Sequence, residues 1–82
     1  MTYKIKINKR SYKFILKQEK AQQKRILNAV NKLPDVGDIR PVQGCDGVYR
    51  LRVGDYRILY TVERDILTVY VIEIGNRGQI YK

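Results

Sequence analysis

The chain has 82 residues, of which 17 are Lys or Arg and 8 are Asp or Glu, giving a net charge of +9 alongside 44% hydrophobic residues. That much apolar content argues against disorder, and that much positive charge argues for a polyanionic partner such as nucleic acid or an acidic protein. There is no His and a single cysteine, Cys45, which excludes Ser-His-Asp and Cys-His nucleophiles, His-bearing metal sites, an internal disulfide and a thiolate zinc cage. The length suits one domain over residues 1–82, and no metal or cofactor site is expected. Residues 1–7 hold no apolar run of signal-peptide length, and no stretch approaches the ~20 apolar residues that span a bilayer. With a lone cysteine in addition, a soluble cytoplasmic protein is expected.

Residues 3–7 set Tyr3, Ile5 and Ile7 on one side and Lys4 and Lys6 on the other, the alternation of a half-exposed strand. Asn8 is a helix N-cap candidate, and residues 10–18 follow a helical pattern centred on Phe14, Ile15 and Leu16. A second helix is predicted over residues 21–33, where Ile26, Val30 and Leu33 recur at helical spacing and Pro34 stops the pattern. Residues 34–47 contain both prolines and three glycines, so they are expected to form a connecting loop. Residues 48–53, 56–62 and 66–74 are rich in β-branched and aromatic side chains, as strands require. The last is apolar almost throughout, as a central strand covered on both faces would be. A short final strand is expected around 79–81. The order β-α-α-β-β-β predicts an α+β fold, with a helical hairpin on one face of an antiparallel sheet of three to four strands.

The charge is concentrated early: residues 1–33 carry ten Lys or Arg against one acid, Glu19. The sharper feature is the first hairpin. If Gly54-Asp55 is a two-residue turn, Val53 pairs with Tyr56, Arg52 with Arg57, Leu51 with Ile58 and Arg50 with Leu59. Tyr49, Leu51, Val53, Tyr56, Ile58 and Tyr60 then form one apolar face, and Arg50, Arg52 and Arg57 share the other. Like charges directly across a ladder destabilise it, whereas three guanidiniums on one rigid face suit phosphate, each offering a planar fork to oxygen. Outward arginines are equally the ordinary wet side of a half-buried sheet, and patterning alone does not choose. Arg77 lies between Gly75 and Gly78, whose small size lets an anion come close; an ordinary strand-end arginine reads the same way. Tyr81 is core, edge filler or a site phenol. Cys45, in a loop without a neighbouring base, reads as an incidental thiol.

The stretch Gly47-Val48-Tyr49-Arg50-Leu51-Arg52-Val53-Gly54-Asp55-Tyr56-Arg57-Ile58-Leu59-Tyr60 resembles the signature of the RelE/ParE toxin superfamily, and Ile74-Gly75-Asn76-Arg77-Gly78-Gln79-Ile80-Tyr81 resembles its C-terminal motif. The resemblance covers essentially the whole chain. For the RelE branch it implies a ribosome-dependent endoribonuclease that cuts mRNA in the ribosomal A site and arrests translation. It also implies a RelB-like antitoxin partner, acidic and partly disordered, that wraps the toxin. By motif position, Arg50, Arg52, Arg57, Arg77 and Tyr81 fall where that branch carries its site residues. Asn76 stands where many members have His, and with the chain ending one residue after Tyr81 no further C-terminal helix is expected. Arginine stays protonated and makes a poor base, so the general base is left unassigned. Two other readings stand beside this one: a ParE-like inhibitor of DNA gyrase, and a non-catalytic homologue that only binds antitoxin or RNA.

Overall fold

Asn8 decides where the chain leaves its first strand. In β1 (Lys4–Ile7) the lysines are exposed and the isoleucines half-buried, as alternation requires. Asn8 is still extended, and its side-chain oxygen accepts a 2.9 Å hydrogen bond from the Ser11 amide. That satisfies one of the unpaired donors at the start of helix α1 (Lys9–Leu16). The structure is a computed structural model, and it describes residues 3–76. Helix α2 (Lys20–Val30) follows a short turn tied by Gln18, whose amide nitrogen donates to the Phe14 carbonyl, and by Gln23, which donates to the Gln18 carbonyl. It ends at Val30 rather than at 33, the last residues before Pro34 tightening into a three-residue turn. The Lys32 and Leu33 amides bond three residues back, to Ala29 and Val30. This tighter turn still delivers Leu33 to the core.

Four more strands follow: β2 (Asp38–Pro41), β3 (Val48–Val53), β4 (Tyr56–Glu63) and β5 (Thr68–Asn76). They are antiparallel to one another in turn, and β1 joins β5 in parallel, so the sheet order is β1-β5-β4-β3-β2. The fold is α+β, with the three expected antiparallel strands behind the helices and a fourth that was not expected. The fourth is β2, inside the segment read as a connecting loop. It escaped notice because it is four residues long with one apolar side chain, Ile39, and a proline at its end. Such a strand is tolerated only at a sheet edge, where β2 lies. The strand expected around 79–81 lies outside the described residues.

One face of the sheet carries the helices. Ile15 of α1 and Ile26 and Val30 of α2, with Leu33, pack on Leu51, Val53, Tyr56, Ile58, Tyr60, Val69, Val71 and Ile74. Phe14 meets Tyr56 edge to face at 6.0 Å, and the Tyr56 hydroxyl donates to the Gln18 side-chain oxygen at 2.9 Å. Tyr49 and Tyr60 stack at 5.7 Å.

Strand β5 corrects the expectation of a strand covered on both faces. Ile66 belongs to a 3-10 turn (Arg64–Ile66) and is 61% exposed. Val69, Val71 and Ile74 point to the core, so the inward spacing stretches from two residues to three between 71 and 74. The cause is a register shift: Tyr60 pairs with Val71 and Leu59 with Glu73, leaving Ile72 as an extra, bulged residue. The near-continuous apolarity therefore reflects the bulge, which places Ile72 next to Val71 without a place in the core. Asn8 holds this bulge from the side, its amide nitrogen donating to the Ile72 carbonyl at 2.8 Å.

Candidate functional site

The β3–β4 turn is Gly54-Asp55, with Gly54 at a φ of 58°, a conformation few residues other than glycine adopt readily. The Arg25 guanidinium lies 3.0 Å from where a Cβ on Gly54 would stand, so the turn is closed from the helix side as well. The register is the one counted from the sequence: Val53 opposite Tyr56, Arg52 opposite Arg57, Leu51 opposite Ile58 and Arg50 opposite Leu59. Tyr49 to Tyr60 divide between the two faces as expected, the apolar set against the helices and the arginines on the open side.

Strand β2 widens this face. Asp38 pairs with Arg52 and Arg40 with Arg50, so two rows run across four strands. One is Asp38, Arg52, Arg57 and Gly75; the other is Arg40, Arg50, Leu59 and Glu73. Directly opposed residues in such ladders have Cβ atoms ~4.5–5.5 Å apart. Four arginines therefore cluster on one rigid surface, with Arg40 and Arg52 exposed and Arg50 and Arg57 half-buried. Arg40 was missed because its strand was missed. The signal available was the alternation of Asp38, Ile39 and Arg40, which is too brief to stand out in a Gly- and Pro-rich segment.

Glu73 also belongs to the open face, half-buried opposite Leu59. Sequence reasoning left it among the apolar residues of β5. Further along, Lys6 of β1 pairs with Tyr70, and Tyr70 with Thr61. Of the five candidates from sequence, the fold brings Arg50, Arg52 and Arg57 together; Arg77 and Tyr81 lie outside the described residues. Among the described residues, no group of three potential metal ligands forms, and no helix is long and apolar enough to cross a membrane.

Among the described residues, the four arginines form a charged surface. A cavity of about 250 Å³ lies round the hairpin tip, lined by Glu19, Gln22, Arg25, Asp55, Tyr56 and Asn76, and none of the four arginines borders it. An open row of guanidiniums fits a strand of phosphates better than a small molecule, which is usually enclosed. Tyr60 takes no part in proton transfer there. It points to the core, and its phenol is pushed up to about 12 by burial first and by Tyr49 second, against a lowering by Arg64.

The family model described as the ParE toxin of the type II toxin–antitoxin system parDE matches residues 5–81. A protein of Methanocaldococcus jannaschii named for the toxin RelE1 is 28% identical over 88 aligned positions, which take in 100% of this chain and 98% of that one. Among solved structures, the archaeal RelE–RelB complex from Pyrococcus horikoshii has a chain 29% identical to this one. It covers 96% of this chain and 99% of its own length, with a TM-score of 0.78. The RelB–RelE antitoxin–toxin complex from Methanococcus jannaschii has a chain 28% identical, covering 93% and 94%, with a TM-score of 0.74.

Proposed function

Since the chain belongs to the ParE toxin family of type II toxin–antitoxin systems, and so to the RelE/ParE superfamily of toxins, we propose that it acts as a ribosome-dependent endoribonuclease that cuts mRNA in the A site. The observation that carries this reading is Arg52 set directly across from Arg57, with Arg50 and Arg40 beside them. Opposed like charges weaken a ladder, and a phosphate bound between them would relieve that repulsion. The RelE relatives and the RelE-type motif residues favour RNA as that anion.

In this reaction the 2′-hydroxyl of one nucleotide attacks the neighbouring phosphorus, and the bond to the 5′-oxygen breaks. The products are a 2′,3′-cyclic phosphate and a free 5′-hydroxyl. Arg57 and Arg77 stabilise the charge that grows on the phosphoryl oxygens, a contribution of ~3–4 kcal/mol for a well-placed donor. Arg50, Arg52 and Arg40 hold the flanking phosphates. Tyr81 stacks on a base or passes a proton. The reaction takes place where ribosomes are, in the cytoplasm. Its control is a cognate antitoxin, in keeping with the RelB chains bound to both archaeal relatives; an acidic segment that folds on binding would neutralise the basic face.

The test is a reconstituted translation reaction on a defined mRNA, with 5′ ends mapped by primer extension and naked mRNA as control. Cuts within A-site codons are expected only when ribosomes are present, and Arg57→Ala is expected to slow them ~10²–10³-fold. The ParE family match favours one competing target, DNA gyrase. Intact mRNA together with gyrase-dependent DNA breaks, from folded protein, would replace the ribonuclease reading with that one.

A further inference from the structure

We propose that Glu73 is the general base of this site. The inference rests on the ribonuclease reading and supplies the group it lacks. The chain has no His, arginine does not give up its proton near neutral pH, and Tyr60 is turned away into the core with its phenol pushed up. A carboxylate on the open face can accept the proton of the 2′-hydroxyl. Along the two arginine rows there are two carboxylates: Asp38 on the outermost strand, and Glu73 next to the sheet's centre.

The bulge is what brings Glu73 there. Counting by twos from Val69 and Val71, residue 73 would point into the core among Ile15 and Ile58. Ile72, the extra residue, shifts the alternation by one, so Glu73 emerges opposite Leu59 on the arginine face and Ile74 takes the core position opposite Ile58. Bulges recur beside active sites where a side chain has to be re-aimed. Here the Asn8 side chain fixes the bulge by its 2.8 Å hydrogen bond to the Ile72 carbonyl.

The placement suits the reaction. Glu73 is two residues from Gly75, which pairs with Arg57, so Glu73 and Arg57 are diagonal neighbours with Cβ atoms within ~7–8 Å. Gly75 between them is buried. A phosphate on Arg57 therefore leaves its 2′-hydroxyl within reach of the Glu73 carboxylate. Among the described residues, the other charged or titratable groups on this face are Asp38, Arg40, Arg50 and Arg52 along the two rows, Tyr70 and Lys6 one row further along, and Glu63 and Lys4 in the row after that. In the step, the carboxylate takes the proton of the 2′-hydroxyl as its oxygen bonds to phosphorus. The departing 5′-oxygen takes a proton from water, and the carboxylic acid returns its own to solvent.

Single-turnover cleavage on programmed ribosomes at saturating protein separates chemistry from binding. Glu73→Gln is expected to lower the saturated rate ~10²–10⁴-fold, the usual reach of a general base. Its ribosome affinity should be equal or tighter, since a negative charge has left the phosphate site. Glu73→Asp, which keeps the carboxylate on a shorter stem, should recover part of the rate. If Glu73 merely offsets the charge of the arginines, Glu73→Gln will cut as fast as wild type, and that result overturns the proposal. So does an equal loss in Glu73→Asp and Glu73→Gln accompanied by an equal fall in melting temperature, which marks a folding role. Wild-type protein that cuts while Glu73→Gln cuts equally well sinks the base alone; wild-type protein that cuts nothing sinks the ribonuclease reading with it.

Discussion

Tyr60 shows how far a single side chain can be read from its setting. Its ring is 1% exposed and stacks on Tyr49, and its phenol titrates at about 12 instead of 10. Below pH 10 the group is protonated whether the chain is folded or not, so it has no effect on the pH dependence of stability there. Between 10 and about 12 the unfolded chain loses the proton and the folded chain keeps it, and stability falls as pH rises. Urea midpoints measured across that interval should drop for the wild type and drop less for Tyr60→Phe; equal slopes would show that Tyr60 does not set the alkaline limit. The core role of Tyr60 was legible in the alternation of β4, and so was the outward set of Arg50, Arg52 and Arg57. The place of Glu73 was not. Its side follows from a bulge, and a bulge depends on how β5 meets β4, not on the pattern within β5.

At the scale of elements, the N-terminal strand and first helix turn on Asn8, which holds two partners at once: its oxygen caps α1 through the Ser11 amide, and its nitrogen holds the Ile72 carbonyl. The cap was visible in the sequence, because Asn before a helical pattern is a strong start signal. The second bond was not, since it spans 64 positions. The two roles can be separated. Asn8→Ala should cost ~1–2 kcal/mol, from the lost cap and the unmet carbonyl. Asn8→Ser retains a capping oxygen and loses the reach to Ile72, so chemical denaturation should find it between Asn8→Ala and wild type. If the two variants are equally stable, the cap contributes nothing. Strand β2 teaches a related lesson. Its backbone pairs because β3 offers an edge, which the pattern within β2 does not reveal.

The whole molecule carries its excess positive charge on two surfaces, the lysine-rich helices and the arginine rows of the sheet. Four arginines on the open face predict a definite salt response for single-stranded RNA. At about 0.7 per phosphate contact, log affinity against log salt should have a slope of roughly −3. Fluorescence anisotropy with a short oligonucleotide measures it, and Arg52→Ala should make the slope shallower by about one contact. A slope near zero would mean that the rows do not bind phosphate. The topology has a further consequence, for the order of synthesis. β1 is among the first residues made, and its partner β5 is made more than sixty residues later, with Lys4 opposite Thr68. β5 is also the strand between β1 and β4, so a nascent chain lacking it has two sheet fragments and no joined core. A chain of this topology is thereby kept unfinished on the ribosome producing it, until β5 has cleared the exit tunnel.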